Sequence, residues 1–397
     1  MPNCTVTPQN VQSTRAGEAS RQATGYWAYV PKPLPPELAY SQPLIKLLDE
    51  AARALGELAG LGRTLPNPWF LVQPAVRREA VLSSRIEGTI STLGDLFRYE
   101  AEPQEMAHQA DVKEVHNYVV ALEHGLTRLA TLPLSLRLIR ELHERLMRGV
   151  RGDHALPGEF RTTQNWIGPP GAMLAEATYV PPPVPQMHDA LDAFERYLHA
   201  DTDMPPLVRL AVIHVQFEMI HPFVDGNGRV RRLLIALLLV HWELLPQPLL
   251  YLSAFFDRYR DDYYRGLLDV SHRGEWERWV EFFLRGVREQ ARDALESARA
   301  IIDLREKYRS TLSDTRTSKI TLDVADQLFV NPWVSAPMIR DRWKVNFRTA
   351  QRAIDDLVKL GVLTEVTGQR RHRFWRAQDI MAILSKDERR SGGGSSR

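Results

Sequence analysis

The segment HPFVDGNGRVRR, residues 221–232, brings together side chains that could transfer a phosphoryl or nucleotidyl group. His221 can accept a proton near neutral pH, and Asp225 can bind Mg²⁺, which commonly bridges phosphates. The turn Gly226-Asn227-Gly228 opens a predicted helix, so its backbone N–H groups can converge on an anion. Each feature alone has an ordinary structural explanation. These explanations do not predict one another, so their joint spacing favours transfer to a hydroxyl.

Three arginines in the same segment are placed where a helix disfavours them. Arg229, Arg231 and Arg232 fall in the first turns of a predicted helix over 228–244. The helix macrodipole makes this end partly positive, so a negative group is expected close by. Arg229 and Arg232 are three residues apart and share a face, and their guanidinium groups suit phosphate oxygens. A bound polyphosphate is therefore expected at this helix start.

Glu87 presents the opposite problem at the end of another predicted helix, over 75–87. A carboxylate in a last turn opposes the macrodipole, just as Arg232 does in a first turn. Each of the two charges would be better placed beside the other. Gly88 suits the position after the helix end, and Ser83 lies one turn before Glu87, where it can help to hold that end.

Composition limits the classes of protein that the chain can represent. Its 397 residues suggest two or three domains, and the net charge of +2 gives no global preference for nucleic acid or membrane. Cys4 is the one cysteine, which excludes a disulfide framework and suits a reducing cytoplasm. The N-terminus has no apolar signal-peptide region, and the longest apolar run, 233–240, is too short to cross a bilayer.

Periodicity predicts a mainly helical chain followed by a smaller region of different character. The other predicted helices cover 44–61, 108–130, 135–149, 187–200, 205–219, 257–270 and 274–309. Residues before 35 are predicted to be irregular. The Gly- and Pro-rich stretch 156–185 is predicted to form a loop with a small hairpin or flap. Residues 317–384 resemble a helix-turn-helix with a wing, and 385–397 a disordered tail.

The segment 221–232 resembles the signature of Fic-domain proteins, His-x-Phe-x-Asp/Glu-Gly-Asn-Gly-Arg-x-x-Arg, at every specified position. The resemblance implies a mainly α fold: a Fic-type helical bundle with a small β-hairpin flap, plus a C-terminal winged-helix domain. The implied divisions are an N-terminal helical region with an inhibitory helix (1–115), the Fic catalytic core and following helices (116–310), the winged helix (317–384) and the tail (385–397).

The resemblance also implies a reaction, namely transfer of AMP from ATP to a Ser, Thr or Tyr hydroxyl of a protein. His221 would be the general base, Asp225 the Mg²⁺ ligand and Phe223 a core residue. The implied nucleotide-binding residues are Gly226, Asn227, Gly228, Arg229, Val230, Arg231, Arg232, Tyr263 and Tyr264. Packing between helices is an equally good interpretation of either tyrosine.

Two further elements gain a role from the resemblance. Ser83-x-x-x-Glu87-Gly88 resembles the family's inhibitory motif, which implies an ion pair from Glu87 to Arg232 that obstructs the γ-phosphate. Tyr179 and Val180 would belong to the target-docking flap, whose extended edge can pair with a target segment. A structural hairpin packed on the core is the alternative for the flap.

Several partners and activities stay open at this stage. Self-modification and a homodimer are compatible with the sequence, whereas a membrane partner is not expected. The C-terminal arginines allow DNA binding, so one alternative is a DNA-binding regulator with the Fic core as a nucleotide sensor. Another donor, such as UTP or a phosphocholine donor, is a further alternative. Doc-like phosphotransferases have Lys where this chain has Gly228, which favours the adenylylating branch.

Overall fold

The computed structural model describes residues 7–65, 67–102, 110–150, 156–169, 171–313, 317–368 and 372–386. Cys4 and nearly all of the predicted tail lie outside these ranges. The structure is mainly helical, as predicted. The helices are α1 Gln42–Thr64, α2 Trp69–Ile86, α3 Leu93–Ala101, α4 Ala110–Arg128, α5 Leu136–Met147, α6 Val184–His199, α7 Pro206–Ile220, α8 Asn227–His241, α9 Ser253–Arg258, α10 Arg260–Arg273, α11 Trp276–Ser313, α12 Lys319–Gln327, α13 Ala336–Trp343, α14 Phe347–Lys359 and α15 Gln378–Leu384.

Helices α7 and α8 form the centre of the bundle, and the chain between them contains His221. Nearly every residue of both helices is buried, including the apolar run that starts at Leu233. Helix α1 packs along the long helix α11, while α4 packs on α2 and α5. Because α7 and α8 are covered on all sides, the connection between them is held by many neighbours.

The N-terminal segment forms an antiparallel β-hairpin, so the prediction of irregular structure before residue 35 is wrong. Strand β1 is Gly17–Arg21 and strand β2 is Trp27–Pro31, with Ala19 opposite Tyr29. The prolines that follow exclude a helix but not a strand that ends at Pro31. Tyr29 is fully buried, so the hairpin is part of the core.

Helix α2 begins six residues earlier than predicted, because Pro74 is accommodated inside it. Its end agrees with the prediction: Gly88 has φ +94°, and its N–H donates to Arg85 O while Thr89 N–H donates to Ser84 O. These two bonds form a Schellman motif, which fixes the helix end that carries Glu87. Helix α3, which the sequence analysis missed, starts with a capping box formed by Thr92 and Asp95.

Residues beyond 317 form α12 to α15 and a small antiparallel sheet of β3 Trp333–Val334, β4 Thr364–Glu365 and β5 Trp375–Arg376, in the order β3-β5-β4. The assignment of a winged-helix domain, and the division of the chain into domains, stay predictions. This region packs on the core: Asn331 Nδ2 donates to Phe97 O, and α15 contacts α2 and α11.

Within the described ranges, none of the helices combines the length and apolar composition needed to span a bilayer.

Candidate active site

His221 occupies a turn in the left-handed backbone region at the end of α7. Its φ is +47°, which is uncommon for a residue with a side chain and requires support from its surroundings. Arg161 supplies that support, since its Nε donates to His221 O at 3.1 Å and its backbone N–H donates to Pro222 O at 2.9 Å. The His221 side chain is 16% exposed, so a molecule bound outside can reach it.

Arg161 is a buried cation whose guanidinium group donates to three backbone carbonyls. Besides His221 O, it donates to Thr163 O at 3.2 Å and to Pro182 O at 2.5 Å, while its residue surface is 1% exposed. Burial lowers the pKa of Arg161 to about 10, so it remains charged at neutral pH. One guanidinium therefore joins the His221 turn to Thr163 and Pro182 in the predicted flap segment.

Arg161→Lys should destabilise the protein by about 2 kcal/mol or more, because a single ammonium cannot reach three carbonyls in different directions. Urea unfolding measures this change. Arg137→Lys on α5 is the matched control, since the Arg137 side chain is 74% exposed. Equal losses in the two variants would show that Arg161 does not hold the turn.

The loop after His221 is shaped by side chains that bind its backbone. Asn227 accepts from Phe223 N–H through Oδ1 at 2.9 Å and donates to Phe223 O through Nδ2 at 2.8 Å. Asn165 Nδ2 donates to the same carbonyl at 2.8 Å. The Asn227 side chain is thus used to close the loop, which leaves its backbone N–H as the part that can face a ligand.

His143 on α5 holds the other side of this loop. Its ring stacks on Phe223 at 3.7 Å, and its Nδ1 accepts from Gly158 N–H at 2.9 Å. The proton must then be on Nε2, which donates to Asp225 O at 3.0 Å. Burial lowers the pKa of His143 to about 4, so the neutral form needed for both bonds is present at pH 7.

The start of α8 presents backbone N–H groups to the space above it. Gly226 is the N-cap with φ +81°, and the first helical N–H to find a backbone partner is that of Val230, bonded to Gly226 O. The amides of Asn227, Gly228 and Arg229 precede this bond and are free of the helical ladder. A Cβ on Gly228 would clash with Oε1 of Glu87, so the Glu87 carboxylate lies against Gly228 in the first turn of α8.

Each arginine at the start of α8 has its own carboxylate from a different helix. Arg229 Nη1 binds Glu114 Oε1 of α4, and Arg231 Nη1 lies 3.0 Å from Glu218 Oε2 of α7. Arg232 Nη2 lies 2.6 Å from Glu87 Oε1 at the end of α2. The three carboxylates supply the negative charge that is expected beside arginines at the start of a helix.

The three carboxylates differ in their access to solvent. The exposed side-chain fraction is 7% for Glu114, 15% for Glu218 and 33% for Glu87, whereas all three arginines are almost completely buried. Breaking a buried pair leaves an uncompensated charge and is costly. Glu87 is therefore the carboxylate that an incoming anion can displace most easily.

Arg232 is also held by the helix that carries Glu87. Its Nε donates to Ser83 Oγ at 2.8 Å, and its Nη2 donates to Ser83 O at 3.0 Å. Burial opposes ionisation of Glu87, but the attraction of Arg232 outweighs it and lowers the pKa of this carboxyl. Burial likewise opposes the charge of Arg232, and the attraction of Glu87 raises its pKa. The pair is thus ionised at neutral pH.

Comparison with known proteins agrees with this geometry. The Fic/DOC family N-terminal model matches residues 45–127, and the Fic/DOC family model matches residues 133–239, which contain the histidine turn and the start of α8.

Residues 45–127 and 133–239 of the chain belong to the Fic/DOC family. Curated relatives include proteins named Protein adenylyltransferase Fic from Drosophila grimshawi, 28% identical over 59% of this chain, and from Nematostella vectensis, 28% identical over 60% of it. The matches cover 45% and 52% of those two proteins, so the chain spans about half the length of the curated relatives it matches.

Solved Fic structures share the fold. A Fic family protein from Desulfovibrio desulfuricans G20 matches 87% of this chain and 98% of its own, with a TM-score of 0.55 and 19% identity. Fic-1 from C. elegans matches 65% of this chain and 74% of its own, with a TM-score of 0.50 and 21% identity.

The two tyrosines proposed near the nucleotide in this Fic core have different surroundings. Tyr263 is fully buried, its hydroxyl lies 3.0 Å from His214 Nε2, and its ring stacks on Phe256. Tyr264 is partly buried beside Arg260. Burial, and next the charge of Glu87, raise the pKa of Tyr264. Tyr264 is therefore the tyrosine that borders the Glu87 site, while Tyr263 and the equally buried Val230 pack in the core.

The predicted flap residues of the Fic core are engaged within the protein. Tyr179 forms an isolated antiparallel bridge with Ile167, and its hydroxyl donates to Met219 O at 2.9 Å. Val180 O accepts from Tyr29 N–H of β2 at 2.8 Å, and both flap side chains are buried. Tyr179 and Val180 thus fasten the flap to the core, and their contact with a target stays a prediction.

Asp225 fits the chemistry of Mg²⁺ held mainly by phosphates. Its side chain is 53% exposed and lies beside the free amides of α8, with Oδ1 accepting from Gly226 N–H. In the part of the chain that the structure describes, no three His, Cys, Asp or Glu side chains gather into a metal site. Mg²⁺ is commonly bound by one carboxylate together with phosphate oxygens, and water molecules fill its remaining ligand positions.

Several residues that support the site were missed by sequence reasoning. Three of them are far in sequence from the residues that they contact: Arg161, His143 and Glu114 lie 60, 82 and 115 positions from their partners. Their distance from the segment 221–232 follows no regular spacing, so the sequence gives no sign of these contacts. Glu218 Oε2 lies 3.6 Å from His221 Nδ1, and its position three residues earlier on α7 was the one available signal.

Glu79 is a further acidic residue on the Arg232-facing side of α2, four positions before Ser83. It is buried and accepts from Ser253 Oγ at 2.6 Å and from Tyr118 OH at 3.0 Å. Burial raises the pKa of Glu79 from 4.5 to about 7. The folded protein therefore holds this proton more tightly than the unfolded chain does.

Glu79→Gln should gain stability over the wild type as the pH rises. The wild-type carboxyl is protonated in both states below about pH 4.5, and its burial cost grows as the pH rises to about 7. The difference in unfolding free energy should grow by on the order of 2 kcal/mol between about pH 5 and pH 8. Urea unfolding at both pH values measures it, with Glu57→Gln on the exposed side of α1 as control. A pH-independent difference would contradict the raised pKa.

Proposed function

We propose that this Fic protein is an autoinhibited protein adenylyltransferase, which transfers AMP from ATP to a Ser, Thr or Tyr hydroxyl of a target protein or of itself. One observation carries the proposal: the Glu87 carboxylate lies against Gly228 at the start of α8 and binds Arg232 at 2.6 Å. An anion site that a displaceable side chain already fills is what a regulated phosphate-binding enzyme requires. The names of the curated relatives support AMP as the transferred group.

In the proposed reaction, His221 takes the proton of the target hydroxyl. The hydroxyl oxygen then forms a bond to the α-phosphorus of ATP, the bond from that phosphorus to the β-phosphate oxygen breaks, and pyrophosphate leaves. The amides of Asn227 and Gly228 stabilise negative charge on the phosphates. Asp225 would hold the Mg²⁺ that arrives with ATP, and that ion would neutralise phosphate charge.

Among the arginines, Arg232 is proposed to hold the terminal phosphate. Arg229 already has Glu114 and Arg231 already has Glu218, and these carboxylates are the less exposed ones. We therefore assign Arg229 and Arg231 to stabilising the start of α8 and to setting its local charge. Once Glu87 leaves, Arg232 keeps its bonds to Ser83 and still has a donor for a phosphate oxygen.

Two alternatives lead to different results. A nucleotide sensor that regulates DNA binding through the region beyond residue 317 would bind ATP without transferring any part of it. Exposed basic side chains on α13 and α14 favour testing it. A transferase with another donor, delivering UMP or phosphocholine, would give a different added mass. A homodimer and the flap as a docking edge are compatible with every one of these activities.

A donor comparison tests the proposal. Purified Glu87→Gly protein is incubated with Mg²⁺ and either ATP, UTP or CDP-choline, with and without a cell lysate, and intact masses are recorded. An AMP-sized addition with ATP alone is the expected result. A UMP- or phosphocholine-sized addition would replace the donor, and ATP binding by calorimetry without any addition would favour the sensor.

A further inference from the structure

A second pocket lies where the Fic core meets the region beyond residue 317. It encloses about 450 Å³, which is in the range of small-molecule sites, and such sites often occur at the junction of two structural units. The core side contributes Arg77 of α2, Tyr99 and Glu100 of α3, and His116 of α4. The pocket is separate from the Glu87 site, and the proposed reaction does not use it.

Aromatic rings make up much of the wall. Tyr99 and His116 lie 5.2 Å apart on the core side, and Trp333 and Trp343 line the pocket from the region beyond residue 317. Flat rings bury a large apolar area at a low cost in conformational freedom, and a planar ligand can stack on them. The wall therefore favours an aromatic occupant over a flexible aliphatic one.

Among the described side chains that line the pocket, one arginine has no carboxylate within ion-pair distance. Arg77 Nε binds Glu100 Oε2 at 2.8 Å, and both side chains are nearly buried, so this pair is satisfied. Burial lowers the pKa of His116, which keeps that ring neutral at pH 7. Arg342 of α13 stacks on Trp343 at 5.5 Å, and among the described residues no carboxylate lies within ion-pair distance of it. An occupant with a single negative charge would complete the balance.

We propose that this pocket binds a small aromatic compound with one carboxylate, whose ring lies between the aromatic side chains and whose carboxylate binds Arg342. A guanidinium and a carboxylate form a bidentate, charge-assisted pair, which sets the orientation of the ligand. The occupant would contact α2, the helix that also carries Glu87, and α13 beyond residue 317. The site does not depend on the proposed transfer activity.

Calorimetry with the full chain tests this proposal, with benzoate, 2-naphthoate and indole-3-acetate as probes and 2-naphthamide as the neutral control. At least one carboxylate should bind with a Kd tighter than about 1 mM, and 2-naphthamide should bind about ten-fold more weakly than 2-naphthoate. Arg342→Gln should weaken carboxylate binding about ten-fold and leave 2-naphthamide binding unchanged.

Arg340→Gln is the matched control, because Arg340, like Arg342, is an exposed arginine of α13, but it binds Asp341 and does not line the pocket. Circular dichroism checks that both variants fold. The proposal is overturned if no carboxylate probe binds, if the amide binds as tightly as the acid, or if Arg342→Gln and Arg340→Gln behave alike. Since no readout involves ATP, a failed transfer reaction would not affect the result.

Discussion

Replacing Glu87 with glycine should raise AMP transfer by roughly 10- to 100-fold, the usual range for removing one regulatory contact. The variant removes the carboxylate that lies against Gly228 and leaves Arg232 available to the nucleotide, while Ser83 still holds the guanidinium. Glycine is tolerated at this helix end, where the Schellman motif is formed by backbone groups. The initial rate of AMP incorporation, followed by intact mass, measures the effect.

A control variant makes the result specific to Glu87. Glu102→Gly removes the carboxylate at the C-cap of α3, the next helix, where Glu102 accepts from Ser335 Oγ at 3.4 Å. Its transfer rate should equal that of the wild type. If Glu87→Gly and the wild type have equal rates, while both bind ATP, the ion pair is structural and the inhibitory role must be abandoned.

His221→Ala in the Glu87→Gly background should lower the transfer rate by about 10²- to 10⁴-fold, the contribution expected of a general base. The backbone of the turn should persist, because Arg161 binds the carbonyl of residue 221 and not its ring. ATP affinity should therefore change little while the rate falls. Single-turnover incorporation and calorimetry separate these two quantities.

His188→Ala is the control for the loss of a histidine, since His188 is an exposed residue of α6. It should keep the full rate of the Glu87→Gly protein. A double variant that still transfers AMP at an undiminished rate would remove His221 from the reaction. A loss of ATP binding along with the rate would instead indicate that the ring supports the site.

The sequence predicts the contact between Glu87 and Arg232 for a physical reason that requires no coordinates. Each charge lies at the helix end that disfavours it, and each relieves the other. Glu114 and Glu218 could not be predicted as the partners of Arg229 and Arg231, because a carboxylate within a helix gives no sign of which helix it faces. Tertiary packing decides that pairing.

Local signals explain the errors in the fold in the same way. Helix α2 was predicted to start at residue 75, but it starts at Trp69 and continues through Pro74, because residues 70–74 are buried against their neighbours. The N-terminal hairpin was overlooked because the prolines after Pro31 suggest irregular chain, although Gly25 with φ +95° marks its turn. The supporting role of Arg161 depends on contacts 60 residues apart, which no local pattern contains.

The rigid end of α2 has a consequence for competition at the anion site. The Schellman motif and the bond from Arg260 Nη2 to Ile86 O hold the Glu87 carboxylate close to Arg232 before any ligand arrives. A tethered group acts at an effective concentration set by geometry, which dilution of the protein does not reduce. In the proposed mechanism a free nucleotide must outcompete a neighbour that is always present, so the amount of ATP needed for occupancy would be set within the chain itself.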